Sequence, residues 1–318
     1  MGEKRRKRSR LLKRPLAAFT AVAAAVSISL VGASSANAVN ANDFNAGNII
    51  SDELFYDGYA MSAAQVQDFL NQRVPRCTIG DLGRAAGMTW GNTTIADRCL
   101  RNYSMNTVSK AANPYCSAYV GRANESAAEI ITKVAQACGI SPRVLLITLE
   151  KEQSLVTDSW PTVRQIDVAT GYACPDSGPG WSANCNPEYY GFQNQVYYAA
   201  WQLKVYRAFP QSYNYKPFQV NTIQYNPNPA CGTSQVYIEN WATAALYIYT
   251  PYRPNQAALN AQWGVGDSCS SYGNRNFYNF YTTWFGSTVG YTVTGAALET
   301  WNRFGGISGT LGAPISNA

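Results

Sequence analysis

Ser141-Pro-Arg-Val-Leu-Leu-Ile-Thr-Leu-Glu-Lys-Glu-Gln-Ser154 is the stretch from which the rest of the chain can be read. Serine followed by proline is a helix start: a side-chain oxygen to cap the first amides, then a residue whose missing N–H costs nothing there. Leu145, Leu149 and Val156 recur at helical spacing, and Glu152 falls on the same stripe. Burying a carboxylate against an apolar face is costly unless it is paired, protonated or used. Glu150 shares its face with Arg143 and Ser154, so the spacing predicts that it is solvated. The plainer alternative for Glu152 is a structural partner such as Arg164 or a tyrosine.

Outward from this helix, residues 1–38 read as an export signal. Lys4, Arg5, Arg6, Lys7, Arg8, Arg10, Lys13 and Arg14 form a basic head, Leu16 to Ala33 is apolar, and Ala36-Asn37-Ala38 fits a small-x-small cleavage site. An uncleaved signal would be the only contact with a membrane. The chain has 25 Lys+Arg and 19 Asp+Glu. The leader holds eight of the basic residues and one acid, leaving 17 basic and 18 acidic residues in the exported part. The basic character thus belongs to the leader, and nucleic-acid binding is not expected.

All eight cysteines (Cys77, Cys99, Cys116, Cys138, Cys174, Cys185, Cys231 and Cys269) lie in the exported part. An even number there reads as disulfides. Spacing leaves the connectivity open; pairing of sequence neighbours is the expectation, each bridge contributing on the order of 3 kcal/mol. There is no Cys-x-x-Cys, and no histidine in the whole chain. That excludes Ser-His-Asp and Cys-His nucleophilic sites in their usual forms and His-ligated zinc centres. Neither a metal nor a cofactor is expected. Carboxylate chemistry remains, with glycoside cleavage its best-known kind.

Other elements follow in order. Ser62 and Gln65 form a capping box for a helix running to about Arg73, and Ser126 and Glu129 form another before Ile130, Ile131, Val134 and Ala137. Residues 75–119, rich in Gly, Asn and Thr, read as irregular structure held by a disulfide. Gly191-Phe-Gln-Asn-Gln195 precedes an apolar helix, Val196 to Phe209. A helix from Glu239 to Tyr249 is stopped by Thr250-Pro251, and an aromatic one from Phe277 to Phe285 is closed by Gly286. Only 14% of residues are charged, while 22 tyrosines and eight tryptophans accompany many amides and hydroxyls, a composition that suits neutral glycans.

The segment Pro142–Ser154 resembles the first motif of the lysozyme-like superfamily, lytic transglycosylases in particular. There a helix opens near a proline and carries its catalytic glutamate ten residues on, which here is Glu152. Serine usually follows that glutamate; Gln153 does here. Gly191-Phe192-Gln193-Asn194-Gln195 resembles the second motif, a turn lining the sugar groove, and Tyr247, Tyr249 and Tyr252 resemble the substrate-binding tyrosines of the late helix. Gly295 to Pro314, with Trp301, Gly305, Gly306, Gly309, Leu311, Gly312, Ala313 and Pro314, resembles one LGFP repeat of secreted actinobacterial wall proteins, Ala313 standing where phenylalanine is common.

The resemblance implies a mainly α protein. Its parts would be a signal peptide (1–38), a helical and irregular segment (39–119), a lysozyme-like domain with disulfide-bonded loops (120–287) and a partial wall-association repeat (288–318). The partner would be peptidoglycan or another cell-wall glycan, with Glu152 as catalytic acid. Gln153, Gly191, Phe192, Gln193, Gln195, Tyr247, Tyr249 and Tyr252 would be substrate-binding, and Asp158, Asp167 and Asp176 the second carboxylates if water is used. The alternative is a non-catalytic wall-binding or adhesin protein on the same fold; the sequence does not fix the oligomeric state.

Overall fold

The computed structural model describes residues 39–289. The signal segment and the repeat-like stretch 295–314 lie outside the described residues. Helices dominate: α1 Asp52–Phe55, α2 Ala63–Arg73, α3 Ala127–Cys138, α4 Pro142–Gln153, α5 Val163–Asp167, α6 Phe192–Ala208, α7 Trp241–Tyr249, α8 Gln256–Asn260 and α9 Gly273–Phe285. The strands are three short antiparallel pairs: β1 (Thr89–Trp90) with β2 (Thr93–Thr94), β3 (Ser104–Met105) with β4 (Glu125–Ser126), and β5 (Gln219–Gln224) with β6 (Thr233–Ile238). The fold is mainly α, as expected.

Both capping boxes form. Ser62 accepts from the Gln65 amide and Gln65 returns the bond, and Ser126 and Glu129 do the same at α3. At α4 the expected cap does not form: Ser141 makes no side-chain capping bond and its hydroxyl is buried without a partner, while Pro142 occupies the first turn as predicted. α6 begins at Phe192 rather than Val196, α7 at Trp241 behind an Asn240 cap, and α9 at Gly273 rather than Phe277. The β5–β6 hairpin was not legible, because residue polarity does not follow its alternating burial: Asn221 is buried while Val220 and Tyr237 are exposed.

α4 is the central helix. Val144, Leu145, Leu146, Ile147, Thr148 and Leu149 are all buried, so it has no solvent face until its last turn. α3 packs on α2, α4 and α6, α4 also packs on α9, and α6 on α7. Phe55 and Leu70 from residues 39–119 join Leu145, Phe192 and Tyr281 in one core. α4 ends at Ser154 in the left-handed region (φ 56°), with its amide donating to the Glu150 carbonyl.

The disulfides join sequence neighbours, Cys77–Cys99, Cys116–Cys138, Cys174–Cys185 and Cys231–Cys269, leaving no free thiol among the described residues. Cys116–Cys138 ties the long loop before α3 to that helix's end. At the other end of that loop, just before α3 begins, Glu125 is fully buried and accepts from Thr107, Tyr119 and Lys133. No described helix is long and apolar enough to cross a membrane.

Candidate functional site

The reversal after Ser154 decides which glutamate of α4 is structural. Val156 and Thr157 turn back over the helix end. Glu150 Oε2 accepts from their two amides at 3.1 Å each, and Oε1 from the Thr157 hydroxyl at 2.7 Å. Glu150 is only 7% exposed, and burial raises its pKa against the pull of these donors. The expected assignment is therefore reversed at this point. Glu150 is not solvated but wrapped in backbone, because the helix stops one residue before Ser154 and Val156 is no longer on its stripe. Glu152 is not embedded in the apolar face; its side chain is 26% exposed and reaches a cleft.

That cleft encloses about 800 Å³. Its floor is the last turn of α4: Lys151, Glu152 and Gln153. One wall is the chain leaving α7, Tyr249 to Tyr252. The opposite wall is the disulfide loop that includes Tyr172, Asp176 and the Cys174–Cys185 bridge, and α6 adds Gln202 and Tyr206. Lys151 Nζ lies 2.5 Å from Glu152 Oε1 and 3.2 Å from the Thr250 hydroxyl, which it also reaches as a donor. Gly171 (φ 68°) lets the loop pass close to the acid: a Cβ there would stand 3.5 Å from Glu152 Oε2. Tyr249 donates its hydroxyl to the Thr170 carbonyl, and burial, with the Glu152 charge beside it, raises its pKa well above the usual phenol range.

Of the residues expected at the site, the candidate acid Glu152 and the candidate binding residues Gln153, Tyr249 and Tyr252 meet in this cleft. The others stand behind it. Gln193 spends its amide on both backbone groups of Val108. Gln195, fully buried, accepts from the Thr170 and Tyr172 amides and donates to the Tyr172 and Tyr189 carbonyls. Phe192 is core, and Gly191 (φ 94°) is the turn that starts α6. Tyr247 is buried and donates to the Ala46 carbonyl. These residues shape the cleft from outside: Gln195 fixes the 170–172 turn that faces Glu152.

Asp158 is also structural, accepting from Trp160 and Gln165. Burial raises the pKa of Asp167, which is not among the residues lining the cleft. Of the three aspartates only Asp176 lines the cleft. Lys151, Tyr172, Gln202 and Tyr206 were missed. Gln202 and Tyr206 lie four apart on α6, a spacing that puts them on one face and could have been noticed. Among the described residues no three acidic or cysteine side chains gather as a metal site.

Residues 48–294 match the family model described as LasA, N-terminal domain. The chain belongs to that family. The match spans the whole helical body with its four bridges and the cleft, and stops just before the repeat-like stretch at Gly295. No curated protein and no solved structure matches the chain. For this LasA N-terminal domain, membership and four disulfides are consistent with a secreted protein.

Proposed function

We propose that the protein is a cell-wall-active glycosidase that takes a peptidoglycan strand into the cleft and cleaves a β-1,4 bond with Glu152 as general acid. The observation that carries this reading is the division of labour on α4. Glu150 is fully engaged by backbone and hydroxyl donors, whereas Glu152 reaches the cleft floor among tyrosine faces and amide tips. Such surfaces stack on and hydrogen-bond to sugars. Glu152 gives its proton to the leaving oxygen as the C1–O bond breaks. The sugar's own 6-hydroxyl then attacks C1 and returns its proton to Glu152, so no second carboxylate is needed. If water attacks instead, Asp176 is the cleft carboxylate that would activate it. For Glu152 to act, its ion pair with Lys151 has to open.

The ion pair favours a second reading, a wall-binding domain without chemistry in which Lys151 and Glu152 stay paired and hydrogen-bond the glycan together. A His-ligated zinc peptidase has no ligands in a chain without histidine. Mass spectrometry of muropeptides released from purified peptidoglycan separates the two readings. Anhydro- or reducing-end fragments support cleavage; retention on peptidoglycan without release supports binding alone.

A further inference from the structure

Two cations line the cleft, Lys151 and Arg164, and they differ in what holds them. Lys151 is committed to Glu152. No carboxylate of the described residues forms an ion pair with Arg164. Its guanidinium is fixed by neutral groups: Nη1 donates to the Tyr190 hydroxyl at 2.6 Å, Nη2 to Cys185 Sγ at 3.2 Å, and the ion sits 5.1 Å from the centre of the Tyr190 ring. Asp167 feels its charge from outside the cleft without pairing with it. A guanidinium carries five N–H donors, and these contacts leave several of Arg164's without a partner among the described residues.

A rigidly held guanidinium with spare donors, in a cleft whose other cation is already neutralised, is built for an anionic oxygen pair. We infer that the cleft selects a carboxylate-bearing glycan, the carboxylate docking on Arg164 while the sugar backbone lies against the tyrosines and Glu152. This rests on the glycan reading given above and adds the charge of the substrate. Phosphate-bearing chains are less suited, because with Lys151 and Glu152 paired only Arg164 faces the unpaired Asp176, and a second negative charge on the ligand has no cation left to meet it.

The carboxylate can come from the lactyl ether of the sugar or from an attached peptide. Calorimetric titration of the intact protein with three tetrasaccharides tells them apart: neutral chitotetraose, a peptidoglycan tetrasaccharide with free lactyl carboxylates, and the same tetrasaccharide carrying stem peptides. Either charged ligand should bind at least about tenfold more tightly than chitotetraose, consistent with a charge-assisted bidentate contact. Which one does so identifies the source. Methyl esterification of the preferred ligand should remove the advantage on wild-type protein, so the test stands even if Arg164→Gln fails to fold. In folded Arg164→Gln, charged and esterified ligands should bind alike. Equal affinity of wild type for charged and esterified forms overturns the role of Arg164 while leaving the glycan cleft intact. No binding of any of the three overturns both.

Discussion

Replacing Glu150 and Glu152 in turn should damage different properties. Glu150→Ala removes the acceptor of two backbone amides and a hydroxyl in a site that is 7% exposed. An orphaned buried donor costs about 1–3 kcal/mol; two of them, less the relief of no longer burying a charge, give a net loss of roughly 2–3 kcal/mol. For a body of this size that corresponds to about 5–10 °C in Tm. Glu150→Gln keeps an oxygen for both amides and turns an NH2 toward Thr157, so its cost should stay within about 1 kcal/mol. Burial raises the folded pKa of Glu150 above its ordinary 4.5. The stabilisation this brings is complete below pH 4.5 and fades as pH rises through the folded value, so Glu150→Ala should fall furthest behind wild type in acid. Glu152→Gln loses only a half-buried ion pair, on the order of 1 kcal/mol or less, but peptidoglycan cleavage should drop by roughly a hundredfold or more. Urea midpoints and muropeptide release, measured on the same preparations, test both halves. The reasoning is refuted if Glu150→Ala melts with wild type, or if Glu152→Gln cleaves at the wild-type rate.

Three further substitutions probe charge and backbone. Lys204 is 7% exposed, and burial, with Arg207 close by, pushes its ammonium down to about 8. The cost of burying that charge is present below pH 8 and gone above 10.5, so Lys204→Met should be roughly 1–3 kcal/mol more stable at pH 7 and lose this lead by pH 10.5, as urea titrations at the two pH values will show. The Ser126 amide, with the Ser126 hydroxyl and Arg122, holds Glu129 down to about 2. Wild type should therefore lose stability between pH 4.5 and pH 2, and Glu129→Gln should lose measurably less across that window, the remaining slope belonging to the other carboxylates. Ser154→Gly, at φ 56°, should raise Tm by about 2–4 °C, since glycine adopts that conformation without strain; a lowered Tm would contradict the left-handed helix end.

What the sequence revealed was local. The capping boxes at Ser62 and Ser126 need only a residue and its third successor, and the four bridges join nearest neighbours along the chain. Glu150 and Glu152 were assigned opposite surroundings because helical periodicity was carried past the point where the helix ends. No residue near Ser154 announces that end: a serine, not a glycine, takes the left-handed turn. Gln193 and Gln195 look like cleft residues when read beside Gly191, yet their amides are consumed by Val108, Thr170 and Tyr172, segments distant in sequence that one chain alone does not place. Arg164 was named only as a partner for Glu152. Its position against Tyr190 and Cys185 depends on the Cys174–Cys185 bridge folding the loop back.

Where Glu152 sits also bears on what it is for. A carboxylate in the last turn of a helix opposes the negative end of the dipole, which costs a few tenths of a kcal/mol or more unless a cation is near. Lys151 supplies that cation, but it cannot cap the helix as well as it would alone, since it is drawn to Glu152 and Thr250. Beside the same carboxylate Gly171 turns at φ 68°, which glycine adopts freely, and Ala173 in the cleft wall holds φ 56°, which an alanine adopts only at a cost. The fold's own requirement for a carboxylate at this helix end is already met two residues earlier, by Glu150 and its three donors. Among the described residues the ion pair of Glu152 is with its own neighbour Lys151, a single contact within one helix turn, and this agrees with the role proposed for its carboxylate in the cleft.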